Sequence, residues 1–273
     1  MGVFLGPLGG LREVGEVQAG VQVASSRASS ERVALGGVRI VQRARRAPRT
    51  WSADLGRWRT PAQVAYVAAC ASGAIPGPLY LLTPHAAATN MLPGQIAAPG
   101  QLGDSGLLTA AGDRPTLGTV PVAFAGQGVV PSVGVVQSAS AGAWSKTIPL
   151  RQVAHTLSVW SSAAGSAIQW RTVTATGSVA QSGASLTTAA VTGGFRASTT
   201  ITPSATAVGV QLALTAGTRV VGGLRLTEGT HDATWLPGEG VPQVVVEDPS
   251  QSMQQAVPGS YRSDYTVTIK EVG

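Results

Sequence analysis

Acidic side chains are missing altogether from residues 115–227, lysine occurs only as Lys146 and Lys270, and cysteine only as Cys70. A single cysteine excludes an intrachain disulfide, and with it a disulfide-stapled secreted module or a zinc site built on thiolates. Charged residues make 12% of the 273, about half the usual share for a soluble domain. Aromatics make 5%, which speaks against a deep aromatic-lined substrate pocket. Apolar residues at 44% still supply a core, so disorder throughout is excluded. Abundant glycine (35) and proline (17), with few long polar helices, point to a β architecture large enough for two domains.

The net charge of +6 is unevenly spread. Residues 1–60 hold ten Arg against Glu13, Glu16, Glu31 and Asp54, residues 115–227 hold six basic residues, and residues 228–273 hold seven acids against Arg262 and Lys270. A basic body with an acidic tail suits self-association, one copy's acidic end meeting another's basic face. It is also compatible with a polyanion. No basic leader precedes the apolar stretch in Met1–Gly10, so no signal peptide is expected, and Gly6 stands where a myristoylation signal needs Ser or Thr. Val64–Leu82 is uncharged, but Pro76-Gly77-Pro78 interrupts it, so it reads as helix then strand rather than as a membrane span.

Along the first part, Val3–Leu8, Val17–Val23 and Val33–Val41 read as strands. The clearest helix follows Thr60 as N-cap and Pro61 at the first helical position. Val64, Val67, Ala68 and Ala71 recur at 3,4 spacing, and Gly73 supplies a left-handed stop. Pro78–Leu82 is a buried strand, and Asn90–Gly94 a turn. The small-residue run from Ala125 to Gly142 marks a domain boundary.

Short strands then follow at roughly ten-residue spacing: Val153–Trp160, Ala167–Thr174, Ala184–Val191, Gly194–Ile201, Ala207–Leu214 and Arg219–Leu226. They fit a sandwich of jelly-roll type. Val244–Val246 and Tyr265–Ile269 read as two further strands separated by a Pro- and Gln-bearing loop. Two strands do not make a stable domain, so they are expected to return to the first one.

Several of these segments together look familiar. Arg49-Thr50-Trp51-Ser52-Ala53-Asp54-Leu55, the Pro61-led helix, Gly77-Pro78-Leu79-Tyr80 and Asn90-Met91-Leu92 resemble the first domain of distal tail and related minor tail proteins of siphophages infecting high-GC actinobacteria. Thr156-Leu157-Ser158-Val159-Trp160 and Gly222–Gly229, leading to Trp235 and Pro237-Gly238, resemble the carbohydrate-binding-module-like jelly roll that such proteins often carry. Tyr265–Val272 resembles their closing strand. The resemblance implies a hexameric ring at the virion tail tip, joining the tail tube protein to the hub or other minor tail proteins, with the jelly roll outward. It implies no catalytic residue, cofactor or membrane, and no direct recognition of nucleic acid.

Enzymatic motifs are weak. Gly103-Asp104-Ser105-Gly106 matches the tetrapeptide around a protease serine, but only His85 lies upstream and without the expected context, so a Gly-Asp turn is the better reading. His85, His155 and His231 are too scattered for a metal motif, and Glu228 with Asp232 are the only carboxylates placed to hold a calcium ion near the sandwich. Glu247 and Asp248 are adjacent, so on a strand they point to opposite faces and do not pair for glycoside hydrolysis.

Binding candidates are two. Trp160, in antiphase to Leu157 and Val159, is the expected exposed platform for a host glycan, against the alternative of a core tryptophan. Arg43, Arg45, Arg46 and Arg49 form a cluster without interleaved aromatics, expected at an oligomer interface rather than on nucleic acid. The expected protein is mainly β and non-enzymatic. A ring-forming domain spans 1–136, completed by 236–273, with one helix, and an inserted jelly-roll sandwich spans 137–235. The alternative function is a glycan-binding adhesin of a phage tail.

Overall fold

Tyr265, Val267 and Ile269 are buried while Thr266 and Lys270 face solvent, the period-two pattern of a strand with one face on a core. This strand lies inside the larger sheet of the first of two units. The computed structural model describes residues 2–15, 21–25, 29–33, 38–43, 48–54, 61–98, 106–113, 115–119, 133–230, 235–236, 238–257 and 260–272.

In chain order the elements begin with β1 (Val3–Pro7), β2 (Arg12–Gly15), β3 (Val21–Ser25), β4 (Ser29–Val33), β5 (Arg39–Arg43) and β6 (Arg49–Asp54). Helix α1 (Pro61–Ala71), β7 (Leu79–Leu82), α2 (Pro84–Thr89) and α3 (Gly94–Ala97) follow. Next come β8 (Leu117–Thr119), β9 (Val133–Val136), β10 (Ile148–Pro149), β11 (His155–Ser161), β12 (Gly165–Val173) and β13 (Val179–Ser182). The remainder is β14 (Leu186–Val191), β15 (Gly194–Ile201), β16 (Gly209–Leu214), β17 (Val220–Glu228), β18 (Gln243–Val246), β19 (Ser250–Val257) and β20 (Ser260–Glu271). The chain is mainly β, and it divides into one unit of Met1–Pro7, Arg12–Leu81 and Pro242–Gly273 and another of Leu8–Leu11 and Leu82–Val241.

In the first unit the strand order is β2-β1-β7-β18-β20-β6-β3, with β19 paired to β20 outside that path. β18 and β20 thus stand between β7 and β6, so the C-terminal segment completes a sheet begun at the N-terminus. Helix α1 packs Val67 and Cys70 against Leu5, Val14, Trp51, Leu81, Val246 and Val267. Gly73 ends the helix at φ 75°, a left-handed conformation that glycine adopts without Cβ strain. The expected N-cap, Thr60, lies outside the described residues.

The second unit is β-sandwich-like. Residues Leu186–Thr188 of β14 pair with β12, and Ala189–Val191 pair with β15, so one strand passes from one sheet to the other. Leu157, Val159, Ile168, Leu212, Leu224 and Leu226 are buried. α2 and α3 lie on β17, and β9 pairs with it through Val135↔Val221. Those contacts are why residues 82–136 group with the sandwich: the division expected at 136/137 falls instead at 81/82.

Locally the strands differ from the sequence reading. Val33–Val41, expected as one strand, forms the ends of two: β4 and β5 pair antiparallel from Ser29↔Arg43 to Val33↔Arg39. The expected loop between the last two strands contains β19, and the closing strand is longer than its apolar alternation indicated.

Candidate functional site

Ser260–Tyr265, the first half of β20, pairs only with β19, whereas Thr266–Lys270 pair with β6. The hairpin therefore leaves the sheet as a two-stranded ribbon. β4 and β5 make a second ribbon, a separate sheet of two strands. Such ribbons are marginal in water by themselves and keep backbone donors and acceptors on their edges. β2 and β3 are the edges of the larger sheet.

The arginine cluster is divided. Arg45 and Arg46 lie outside the described residues, and Arg43 closes β5. Arg49 is engaged within its own unit. Its Nε donates to Glu271 Oε2 at 2.9 Å, its Nη2 to Oε1 at 3.3 Å and its backbone N–H to Oε2 at 3.1 Å. The guanidinium also lies 4.9 Å from the Trp51 ring centroid. A fork–fork pair stacked on an aromatic ring is a fastening between β6 and β20, so Arg49 is not a group awaiting a neighbour.

The acidic closing segment is similarly satisfied at home. Glu228 accepts from Arg151 at 2.9 Å, Glu239 stands 3.1 Å from His85 Nδ1, and Glu247 pairs with Lys270. With Glu271 held by Arg49, four of the seven carboxylates counted in that segment have partners within their own unit.

Trp160 is not an exposed platform. Its exposure is 3%, and Arg196 of β15 lies over its ring at 5.3 Å. The β11–β17 register shifts between Ser158 and Trp160, and Gly223, at φ 57°, makes room for the indole: a Cβ there would come 2.9 Å from Trp160 Cδ1. All seven residues of β11 are buried, so the face that Trp160 takes is covered whichever it is.

A cleft of about 250 Å³ opens elsewhere in this unit, lined by Trp170, Ser185, Thr187, Ser198 and Thr199 with Ala184, Leu186 and Ala197. It lies where β14 leaves β12 for β15. Trp170 packs against Gly183, where a Cβ would meet the indole edge. The cleft offers hydroxyls and no ionisable side chain, which suits neutral polar groups and supplies no general base.

His155 and Glu228 face each other across β11 and β17. Burial pushes the His155 pKa down to about 4, with a smaller lowering by Arg151; among the described residues neither ring nitrogen has a hydrogen-bond partner. Burial raises the Glu228 pKa, opposed by Arg151. Asp232 and His231 lie outside the described residues, as do Gly103, Asp104 and Ser105. Among the described residues, no three His, Cys, Asp or Glu side chains group to hold a metal ion. Sequence reasoning missed Arg171 with Trp144, a guanidinium 4.2 Å from a ring centroid. The pair is separated by 27 positions, so it leaves no local motif.

Comparison with known proteins finds no family model, no curated protein and no solved structure that matches the chain.

Proposed function

We propose that this protein is a structural, non-catalytic component of a siphophage tail tip, of distal or minor tail type, whose copies join into a ring between tail tube and hub or fibres. The observation that carries the reading is the β19–β20 ribbon, which extends a strand of the first unit's sheet beyond its other partners. A ribbon with open edges gains backbone hydrogen bonds and burial when a neighbouring copy receives it. The sheet's edge strands β2 and β3 offer such a receiving edge. The internal pairing of Glu228, Glu239, Glu247 and Glu271 favours strand edges over an acidic tail meeting a basic face. The resemblance of Arg49–Leu55, Gly77–Tyr80 and Tyr265–Val272 to tail proteins gives the assembly its biological setting.

Mass in solution, followed across protein concentration and salt, tests this. A discrete ring-sized oligomer is expected. Replacing residues 254–262 by an Asn-Gly turn, which leaves the β20 pairing with β6 in place, is expected to yield monomers. Oligomers unaffected by that shortening would refute the role given to the ribbon, and a monomer at every concentration would count against the ring.

The second reading is a host-glycan-binding module. It draws on the hydroxyl-lined cleft at Trp170, Ser185, Thr187, Ser198 and Thr199, no longer on Trp160.

A further inference from the structure

On the face of β12 opposite Trp170, Arg171 is held in one orientation from two sides. Its Nε donates to Gln211 Oε1 at 2.8 Å, and its guanidinium lies 4.2 Å from the Trp144 ring centroid. Gln211 is fixed in turn, its Nε2 donating to Thr147 Oγ1 at 3.1 Å. Register places Arg171 directly opposite Gln211 on β16 and Ser182 on β13. Arg171, Trp144, Gln211 and Thr147 are each half-buried, so the group is reachable from solvent without being loose.

This arrangement uses one guanidinium N–H and one ring face. Among the described residues, no side chain or carbonyl accepts from Nη1 or Nη2. Residues 115–227 contain no carboxylate, so the stretch that builds this face brings no anion of its own. The nearby sequence acid Glu228 is already taken by Arg151. A guanidinium fixed by a neutral amide and an aromatic ring, with its outer fork open, matches the two oxygens of a planar or tetrahedral oxyanion. Ordering the arginine beforehand removes side-chain entropy that a free surface arginine would lose on binding.

We propose that the Arg171–Trp144–Gln211 group is a binding site for the oxyanion of a carboxylate- or phosphate-bearing ligand. The fork of Arg171 takes two of the ligand's oxygens, Gln211 sets its angle, and Trp144 shields the guanidinium from water on one side. The inference stands apart from ring assembly, because its residues all belong to the sandwich and it does not involve the ribbons.

Isothermal titration of the full chain with glucuronate, glycerol phosphate and neutral glucose tests the site. Saturable binding of glucuronate or glycerol phosphate, weakened by added salt, is expected, and whichever binds more tightly identifies the oxyanion. Glucose is expected to show none. Arg171→Gln is expected to weaken binding about tenfold, the loss of one charge-assisted hydrogen-bonding group. Arg171→Lys, which keeps the charge without the fork, should fall between. Equal affinity in wild type and Arg171→Gln overturns the proposal, as does binding of glucose as tight as that of glucuronate, or no binding by any probe. Oligomer mass is read on the same samples. A change of mass in Arg171→Gln would make this face a contact between copies and overturn the ligand reading, whereas a monomeric wild type that still binds would leave it standing and tell against the ring alone.

Discussion

Asn90 stands beside Leu226 as a neighbouring strand would: its Oδ1 accepts from the Leu226 N–H at 3.0 Å, while the Met91 N–H donates to the Leu226 carbonyl at 2.7 Å. Nδ2 of the same amide donates to the carbonyls of Leu224 and Leu236, and Oδ1 also accepts from the Leu92 N–H. Nearby, Arg225 donates to the carbonyls of Ala88 and Thr89, the last turn of α2, where a cation complements the helix end. β9 pairs with the start of β17, at Val220 and Val221, and these groups occupy the strand further along. An edge that would otherwise remain open is filled by the buried Asn90 amide together with the Met91 N–H.

Asn90→Ala removes all four hydrogen bonds of the amide and leaves the buried N–H groups of Leu226 and Leu92 without an acceptor, while the Leu224 carbonyl keeps only the Trp235 indole N–H. The expected loss is about 2–4 kcal/mol, from several unsatisfied buried groups partly compensated by relaxation. Asn90→Asp keeps the acceptor but places a carboxylate against the Leu224 and Leu236 carbonyls, so it is expected to be at least as damaging at neutral pH. Urea unfolding of both variants checks this; near-wild-type midpoints would show that the amide is not required at that edge.

Strands of both units were legible from short apolar runs between Gly-, Ser- and Thr-bearing turns, even where, as in β11 and β17, both faces are buried. Gly194–Ile201 was read with the same ends as β15, and Tyr265, Val267 and Ile269 were assigned to one side of their strand. The ribbon was not legible for the converse reason: Ser250–Val257 reads Ser-Gln-Ser-Met-Gln-Gln-Ala-Val, without regular apolar alternation. Trp160 was misread because alternation reports which face a residue takes, not whether that face is covered. Asn90 gave no signal of its role, since an Asn before Met-Leu-Pro-Gly reads as a turn, and its partners Leu224, Leu226 and Leu236 lie more than 130 residues away.

The packing of Trp160 against Gly223 has a direct consequence. Trp160→Ala is expected to cost about 3–5 kcal/mol, the range for truncating a buried aromatic. Gly223→Ala asks a residue with a Cβ to adopt φ 57° and approach the indole at 2.9 Å, and a cost of about 1–3 kcal/mol is expected. Near-UV circular dichroism and chemical unfolding report both. A Trp160→Ala variant of unchanged stability would restore the exposed-platform reading.

Arg49 and Glu271 make a second test, because the arginine was expected at an interface and is found paired within its unit. Arg49→Gln is expected to lower the stability of the first unit by about 1.5–3 kcal/mol, as for hydrogen bonds to charged groups. Oligomer mass should stay the same under conditions where the unit remains folded. Loss of oligomers without loss of stability, measured by light scattering alongside thermal unfolding, would return Arg49 to the interface.

His155 makes stability depend on acidity. Its folded pKa of about 4 lies below the ordinary value of 6.5, so the unfolded chain takes the proton first. The stabilisation is complete above pH 6.5 and is lost as the pH falls toward 4, by about 3 kcal/mol across that window if His155 acts alone. Glu228 has the opposite sign: its raised pKa means that the folded state gains a proton more readily as the pH falls, which offsets part of the loss. The net expectation is a decline in unfolding free energy between pH 6.5 and 4.5 in the wild type. The decline should be steeper in Glu228→Gln, which removes the offset, and shallower in His155→Gln, which removes the titrating imidazole. Urea unfolding at half-unit intervals resolves the slopes, and identical slopes in wild type and His155→Gln would show that the buried imidazole does not set the acid limit of the fold.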